Sequence, residues 1–416
     1  MRDAVGVSVV AGVPVVADVP VVADVPVVAD VSAAADVSAA EGVSAAAGVS
    51  AAVGASARPH LLVALSSHGF GHLSQAAPVV NQLRLMIPEL RVTVRAAFPA
   101  DQIGRRIPNP DDIMHAADDF GMVMHDALSV DVAGSLEAYR AVHRNWDERV
   151  DALARTLRAA RVDVVLSDIP YLTLAAATAA GIPSVGMCSL NWAEILEHYI
   201  GPQGDPELVA AIRRAYAGAT YFLQTQPCMP MRGLPNLRAI GPAATPGRMR
   251  RDEIVERAGL PVDAWIVLVG MGGVPYELTA AEWPSRSHGR PVFYLVPDAI
   301  ASTHPNAVGS DKLGIGYSDL LASVDLVLTK PGYGTFAESA VAGVPVMYVA
   351  RRDWPETQAL TDWLDGVGHC AEIEAEALRH GSFAPVLDAL LARGRATPVD
   401  PSGNLEGAQL IRELLG

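Results

Sequence analysis

The chain of 416 residues is poor in cysteine and aromatic residues and has only two lysines, Lys312 and Lys330. Its three cysteines form no Cys-x-x-Cys pair and accompany no His pair at ligand spacing, which argues against a disulfide framework and a structural zinc site. No stretch reaches the run of about 20 apolar residues that crosses a bilayer. The sequence therefore predicts a soluble protein of a reducing, cytoplasmic compartment.

Basic residues are also scarce, since 31 Lys and Arg stand against 46 Asp and Glu and give a formal net charge of −15. A protein that binds nucleic acid normally presents a basic surface, so this balance argues against a nucleic-acid partner. The same charge disfavours electrostatic docking to anionic lipid, although a local apolar patch would still allow peripheral membrane contact. The oligomeric state is not indicated.

Residues 1–57 contain no aromatic residue, and from residue 7 to residue 54 they repeat every six residues, as in VPVVAD and VSAAAD. A hexad period is also seen in β-helices, but a short stack of such small residues buries too little surface to offset the entropy of ordering it. We expect a low-complexity, disordered tract at 1–57, excluded from the fold.

The rest of the chain alternates β-rich runs with amphipathic or Ala-rich stretches, the pattern of parallel sheets covered by helices. A segment rich in Pro and Gly at 241–250 interrupts this alternation and predicts a hinge between two α/β domains, at 58–242 and 243–416. An amphipathic helix at 406–415 is expected to pack back across the junction. The predicted strands are 61–66, 92–97, 162–167, 184–188, 219–224, 265–269, 292–296, 326–329 and 344–349.

The first strand leads into SHGFGHLS at 67–74. Gly69 and Gly71 allow a ligand to approach the backbone, and His68 and His72 are the side-chain type best suited to proton transfer near neutral pH. The loop fails as a dinucleotide fingerprint because Ser74 stands at the third glycine position. A turn that serves only helix–strand packing explains the glycines equally well.

Asp168 follows the strand 162–167 and is a candidate to orient a histidine, because parallel strands present their carboxyl ends at one edge of a sheet. A helix cap is the simpler interpretation of this residue. No acidic metal motif follows a strand. We expect the acidic pairs at 111–112 and 118–119 to be solvated.

The second half contains two further loops at strand ends. VLVGMGG at 267–273 is a strand that runs into the glycines Gly270, Gly272 and Gly273. LTKPGYGTFAE at 328–338 exposes the backbone N–H groups of a helix start, which favours an anion. An ordinary turn and solvated charges are the alternative interpretation. The candidate ligands of this second loop are Lys330, Gly332, Gly334, Thr335 and Glu338.

The stretch GYGTFAESAVAGVP at 332–345 resembles the donor-nucleotide signature of GT-B glycosyltransferases, and HGFGHLSQAAPVVNQL at 68–83 resembles the opening loop and helix of that superfamily. The chain is similar to glycosyltransferase family 28, to UDP-glycosyltransferases and most closely to the glycosyltransferase-like domain of plant-type L-arabinokinases. CSLNWAEILEHYIG at 188–201 and ARRDWPETQALTDWL at 350–364 resemble that last group. The resemblance covers about residues 58–395 and implies two Rossmann-like α/β domains that face each other across a cleft.

This resemblance implies a glycosyltransferase that moves a sugar from a UDP-sugar to an acceptor hydroxyl by inverting displacement, with no metal or other cofactor. His72 matches the base that deprotonates the acceptor, and Asp168 matches the Asp that pairs with it. Thr335 and the glycine turns would hold the diphosphate, Glu338 the ribose, and Lys330 stands where the family commonly has His.

The donor-sugar contacts of the family come from an acidic–Gln pair, which Thr357 interrupts here between Glu356 and Gln358, so the identity of the sugar stays open. Asn191 and Trp192 are candidates for an acceptor pocket beside His68, Gly69 and Gly71, although an aromatic cluster at helical spacing suits a core better. Two other functions remain open: a non-catalytic UDP-sugar-binding or accessory protein, and an isomerase similar to UDP-GlcNAc 2-epimerases.

Overall fold

The structure is a computed structural model that describes residues 58–126, 128–272 and 279–416. The tract predicted at 1–57 lies outside the described residues. The described residues belong to one compact unit. Among the described residues, no helix combines the length and the hydrophobicity needed to span a membrane.

The first half contains a parallel seven-stranded sheet in the order β3-β2-β1-β4-β5-β6-β7. All seven strands are short, and the sequence predicted five of them to within three residues. The two that it missed, β3 and β7, have partly exposed edge residues and lack a continuous apolar run. The strands are β1 His60–Leu65, β2 Arg91–Ala96, β3 Asp112–His115, β4 Val164–Asp168, β5 Ser184–Cys188, β6 Tyr221–Thr225 and β7 Leu237–Ile240.

Helices cover both faces of this sheet. Leu61, Val63 and Leu65 pack with one layer of helices, while Leu62 and Ala64 pack with the other, as the two-residue period of a strand requires. The helices of this half are α1 Phe70–Met86, α2 Ala100–Arg106, α3 Val132–His143, α4 Trp146–Ala159, α5 Tyr171–Ala180, α6 Trp192–Ile200 and α7 Pro206–Ala217.

The second half contains a sheet in the order β11-β10-β8-β12-β13-β14, with the short β9 antiparallel to β10. The four strands predicted here are present, and β9, β11 and β14 are short additions at the margins. The strands are β8 Trp265–Gly270, β9 Arg286–Ser287, β10 Arg290–Val296, β11 Ala307–Gly309, β12 Leu326–Thr329, β13 Val346–Val349 and β14 Cys370–Ile373. The helices are α8 Arg251–Ala258, α9 Tyr317–Ser323, α10 Tyr333–Ala342, α11 Thr357–Val367, α12 Ala375–Arg379, α13 Ala384–Arg393 and α14 Gly403–Leu415.

Each sheet reverses its strand order once. In the first sheet β1 lies between β2 and β4, and in the second β8 lies between β10 and β12. The loops after β1 and β4 therefore leave the first sheet in opposite directions, and so do the loops after β8 and β12 in the second. Each pair opens a crevice at the carboxyl edge of its sheet, where α/β proteins bind ligands. Both crevices contain candidate site residues predicted from the sequence.

The last helix, α14, packs on the first half although it follows the second half in the chain. Ala408 and Ile411 are fully buried in the same core as Leu61 and Val79. The chain thus crosses between the halves twice. The two crossings are hydrogen-bonded to each other, since Gly403 N–H donates to the Pro242 carbonyl at 3.1 Å and Asn404 Nδ2 donates to the Ala244 carbonyl at 2.9 Å.

Removing the buried side chain of this helix should destabilise the first half. We expect Ile411→Ala to lower the free energy of unfolding by about 2–4 kcal/mol, because a fully buried isoleucine leaves a cavity in the core. Leu405→Ala, on the same helix and 45% exposed, is the control and should change it by less than about 0.5 kcal/mol. Urea unfolding followed by tryptophan fluorescence measures both. Equal effects of the two changes would show that α14 does not pack as described.

Candidate active site

The first part of the site lies where β1 and β4 end side by side. Leu65 is the register partner of Asp168, and Ser66 N–H donates to the Asp168 carbonyl at 2.8 Å. Helix α1 begins at Phe70, so His72 lies in its first turn directly above this strand edge. Strand pairing and helix start together bring His72 and Asp168 into contact, although 96 residues separate them in sequence.

His72 and Asp168 form a buried hydrogen-bonded pair, with 2.8 Å between Nδ1 and Oδ1. Burial alone would lower the pKa of His72, but the hydrogen bond and the charge of Asp168 outweigh it, so the pKa lies above its usual value. Burial raises the pKa of Asp168 to about 6, against the opposing hydrogen bond from His72. A carboxylate at Nδ1 holds the neutral ring as the Nδ1–H tautomer, which leaves the lone pair on Nε2 to accept a proton.

Cys188, at the end of β5, adds a thiol to this pair, with Sγ at 3.8 Å from His72 Nδ1. One ligand atom each from His72, Asp168 and Cys188 lies within 4.8 Å of the others, a set of ligand types that zinc accepts. Burial raises the pKa of Cys188 well above its usual value. Within this set, His72 and Asp168 form the direct hydrogen bond.

Asp119 is a part of the site that the sequence analysis missed. Its predicted solvation is wrong, because Asp118 and Asp119 are each only 7% exposed. Asp119 accepts hydrogen bonds from Ser67 N–H at 3.1 Å and from Trp192 Nε1 at 2.8 Å, and its charge raises the pKa of His72 further. Asp118 instead binds Arg95 in a two-point ion pair. No motif marks Asp119, since its partners lie far away in the sequence.

Trp192 and Asn191 are buried residues at the start of α6, next to this part of the site. Trp192 is fully buried, and its ring centroid lies 5.1 Å from that of His68 and 5.8 Å from that of His72. Asn191 caps α6 through Glu194 N–H. Of the two residues predicted for an acceptor pocket, Trp192 therefore packs against the histidines, while Asn191 is buried and caps α6. Burial, with the charges of His72 and Lys330 next, lowers the pKa of His68 to about 3, so this ring is neutral.

Gly69 and Gly71 do not occupy left-handed backbone. Gly69 is extended with φ of 166°, and a Cβ added at either glycine would meet nothing within 4 Å. Open space beside the backbone, and not a strained turn, is therefore what these two glycines provide, and a ligand can approach them closely.

The second part of the site lies where β8 and β12 end side by side. Gly270 is the register partner of Thr329, whose hydroxyl donates to the Gly270 carbonyl at 2.6 Å. Gly272 has φ of +75°, a conformation that favours glycine, and Gly332 is the N-terminal cap of α10. Gly273 lies outside the described residues. The start of α10 presents unpaired N–H groups at this edge.

The two parts of the site face each other directly. A methyl group added at Gly334 would lie 3.0 Å from Ser74 Cβ and 3.9 Å from Gly71 Cα, so the N-terminus of α10 abuts the first turn of α1. Thr335 lies in the same turn, with 3.3 Å between its Oγ1 and the Tyr317 hydroxyl. The anion-binding end of one helix therefore faces the helix that carries His72.

Glu338 is buried one turn into α10. Its Oε1 accepts from Arg106 of α2 and from Ser318 of α9, while its Oε2 is buried without a hydrogen-bond partner among the described residues. Burial raises the pKa of Glu338, although the charge of Arg106 opposes this. An oxygen in this state is satisfied by a hydroxyl donor. Arg106, Ser318 and Tyr317 were not predicted, because no motif singles them out.

The ammonium group of Lys330 makes no ion pair or hydrogen bond within the described ranges, whereas its backbone carbonyl accepts from the Thr329 hydroxyl at 3.1 Å. Burial, with the nearby positive charge of Arg351 next, lowers its pKa to about 8. Glu356, also buried, accepts from Ser189 at 2.5 Å and from Trp354 Nε1 at 3.2 Å, which joins it to the first half. Gln358 is the predicted residue that the structure does not bring to the site. It is exposed and donates to Asp362 of its own helix at 2.6 Å.

No protein-family model matches the chain. L-arabinokinase of Arabidopsis thaliana is 27% identical over 371 residues, which cover 86% of this chain and 34% of that protein. The chain thus spans about a third of the length of this curated relative.

Solved glycosyltransferases resemble the chain in fold. UGT89C1 of Arabidopsis thaliana, solved in complex with UDP, matches with a TM-score of 0.56 and 16% identity over 86% of this chain and 100% of that one. The glycotransferase of kitacinnamycin gives 0.55 and 16%, and SnogD of Streptomyces nogalater gives 0.51 and 18%, both over 86% of this chain and 100% of theirs. These matches confirm the GT-B fold, with two Rossmann-like α/β regions.

The His72–Asp168 pair gives a prediction about proton affinity. In Asp168→Asn the ring of His72 loses the charge that offsets its burial, so its pKa should fall below the usual value of 6.5. Titration of the histidine ring signals by NMR measures this shift. His60 is the control, since its own pKa depends on burial, Arg91 and backbone carbonyls and should not change. An unchanged titration of His72 would show that Asp168 does not control it.

Proposed function

We propose that this GT-B chain transfers a sugar from a UDP-sugar to an acceptor hydroxyl with inversion at the anomeric carbon. The observation that carries the proposal is the position of the buried His72–Asp168 pair opposite the N-terminus of α10, with Gly334 against Gly71. A base on one half thus faces an anion site on the other. Binding of UDP by UGT89C1, a protein of the same fold, supports the choice of nucleotide.

In the proposed donor site the diphosphate and the ribose each meet a described group. The diphosphate binds at the start of α10, where backbone N–H groups, the Thr335 hydroxyl and the Lys330 ammonium neutralise its charge. The vicinal hydroxyls of the ribose donate to Glu338, whose Oε2 is the buried oxygen with no partner of its own among the described residues. Arg106 and Ser318 hold the carboxylate in place through Oε1.

The reaction follows from this placement. Nε2 of His72 accepts the proton of the acceptor hydroxyl as its oxygen attacks the anomeric carbon, and Asp168 stabilises the imidazolium that forms. The bond to the diphosphate oxygen breaks on the opposite face, which inverts the configuration. Lys330 and the helix N-terminus stabilise the charge that develops on UDP, a role that a metal ion fills elsewhere. The proposed reaction uses no metal ion.

We assign acceptor binding to residues 58–242 and donor binding to residues 243–416, with 241–250 as the hinge. Helix α14 is the exception, since it packs on the first half. Several contacts join the halves at the site: Arg106 with Glu338, Ser189 with Glu356, and Tyr199 with the Asp353 carbonyl. A substrate that enters must separate these groups, so binding requires the halves to open and close.

Nucleotide binding tests the donor site. We expect calorimetric titration of the full chain to show UDP binding that does not depend on Mg²⁺ and is stronger than binding of GDP. Glu338→Ala should weaken it about 10- to 100-fold, since a charged hydrogen bond contributes about 1.5–3 kcal/mol. Glu374→Ala removes an exposed glutamate of the same half and should leave the affinity unchanged. No binding of any nucleotide would overturn the proposed function.

Turnover tests the base. His72→Ala should lose at least about 100-fold of the transfer rate, the lower range for general-base catalysis, while the affinity for UDP stays within about twofold. UDP release from UDP-sugars across an acceptor screen measures the rate. If the unchanged protein binds UDP but turns nothing over, it is a non-catalytic UDP-sugar-binding protein. Free sugar released from UDP-GlcNAc without an acceptor would instead indicate the epimerase-like reaction.

A further inference from the structure

Arg351 is a buried cation that the proposed reaction does not use. It follows β13 and is only 5% exposed. Its Nε and Nη2 have no hydrogen-bond partner within the part of the chain that the structure describes, and it forms no ion pair there. A buried guanidinium without partners costs several kcal/mol of desolvation, by order of magnitude. Such a group indicates an anion among the ligands of the site.

The guanidinium is held in a fixed position. Its central carbon lies 4.2 Å from the ring centroid of Trp354, and His68 stacks on the same indole at 5.6 Å with an interplanar angle of 5°. Trp354 Nε1 donates to Glu356, which Ser189 binds in turn. Arginine presents a planar fork of donors that matches a carboxylate in two-point contact, and a stacked arginine needs little reordering to bind one.

The acidic residues around Arg351 do not neutralise it. Asp353, Glu356 and Asp126 are near enough to act on its pKa, but none comes within ion-pair distance. Both oxygens of Glu356 already accept hydrogen bonds, and Asp126 accepts the N–H groups of residues 128 and 129. A second cation, the half-buried Lys330, lies close enough for the charge of Arg351 to lower its pKa. The proposed diphosphate at the start of α10 pairs with Lys330, and Arg351 then has no assigned partner.

The position of Arg351 in the sheet identifies the part of the donor that it faces. The ribose site is formed by Glu338 with Ser318 of α9, and Tyr317 of that helix lies beside Gly270 at the end of β8. Strand β8 is on one side of β12, and β13, which ends just before Arg351, is on the other. The diphosphate site lies between them at the start of α10. Arg351 is therefore on the side of the diphosphate opposite the nucleoside, where the transferred sugar lies.

We propose that Arg351 binds a carboxylate on the transferred sugar, so that the donor is a UDP-linked uronic acid. This inference rests on the proposed function, because it places the sugar from the diphosphate and ribose sites. It assigns to Arg351 the choice of donor and leaves the chemistry at His72 unchanged.

Donor affinities test the assignment directly. Calorimetric titration of the full chain with UDP-glucuronate against UDP-glucose, and with UDP-galacturonate against UDP-galactose, compares acids with their neutral partners. In at least one pair we expect the acid to bind about 10-fold tighter or more, the effect of one charge-assisted hydrogen-bond pair. This comparison needs no variant. Equal or weaker binding of the acid in both pairs, while UDP itself binds, would overturn the proposal and leave the proposed function intact.

Three variants locate the effect. Arg351→Met should weaken the acid donor about 10- to 100-fold and change UDP and the neutral donors by less than about threefold. Arg351→Lys keeps the charge but not the two-point fork and should lose less. Arg352→Met is the matched control, because Arg352 is exposed and pairs with Glu372 and Glu374 at the surface.

Equal losses for UDP and for every donor in Arg351→Met would assign the residue to the diphosphate and overturn the proposal. Unchanged acid binding in that variant would assign Arg351 to the acceptor and overturn it as well. If no UDP binds to the unchanged protein, both the proposed function and this inference fail.

Discussion

The parallel pairing of β1 with β4 and of β8 with β12 positions the central groups of both parts of the site. The first pairing sets Leu65 beside Asp168, and the second sets Gly270 beside Thr329. The helices that leave these edges then carry His72 on one side and the anion-binding turn on the other. A slip of one residue in either pairing would turn each side chain to the opposite face of its sheet. The chemistry of the site is thus a consequence of register, which the buried apolar faces of both sheets hold in place.

Charged and hydrogen-bonded contacts join the halves at the site, alongside the packing of Trp354 with buried residues of the first half. Arg106 and Ser189 of the first half satisfy the carboxylates of Glu338 and Glu356 in the second. Ion pairs of this kind recover much of their desolvation cost from water when they separate, whereas an apolar interface would not. Lys330 and Arg351 have no such partner among the described residues. Their burial is a local cost that the rest of the fold sustains, as is common where a structure serves a ligand.

Sequence reasoning found the residues that strand ends and glycine turns mark. His72, Asp168, Thr335 and Glu338 follow predicted strands. The rule that parallel strands end at one edge indicated that His72 and Asp168 lie close together, and the resemblance to GT-B glycosyltransferases pointed to the same four residues. The sequence did not predict Asp119, because a loop without a motif brings that residue to Ser67 and Trp192.

The contacts between the halves were not predicted from the sequence, for a related reason. The pairing of Arg106 with Glu338 depends on how the two sheets face each other, which no local pattern encodes. Gln358 shows the opposite limit, since similarity to a motif suggested a donor contact while the first turns of α11 direct the side chain to Asp362 and solvent. Local structure was therefore predictable from the sequence, but contacts across the interface were not.

The double crossing of the chain restricts how the halves move. A single connecting segment would allow them to bend and twist about many axes. Here the segments at 241–244 and 402–406 run side by side and are hydrogen-bonded to each other. In the opening and closing that we propose, such paired crossings favour bending about one axis over torsion, so His72 would return to the same position at each closure. A proteolytic cut within 245–250 would also leave the halves attached through the second crossing.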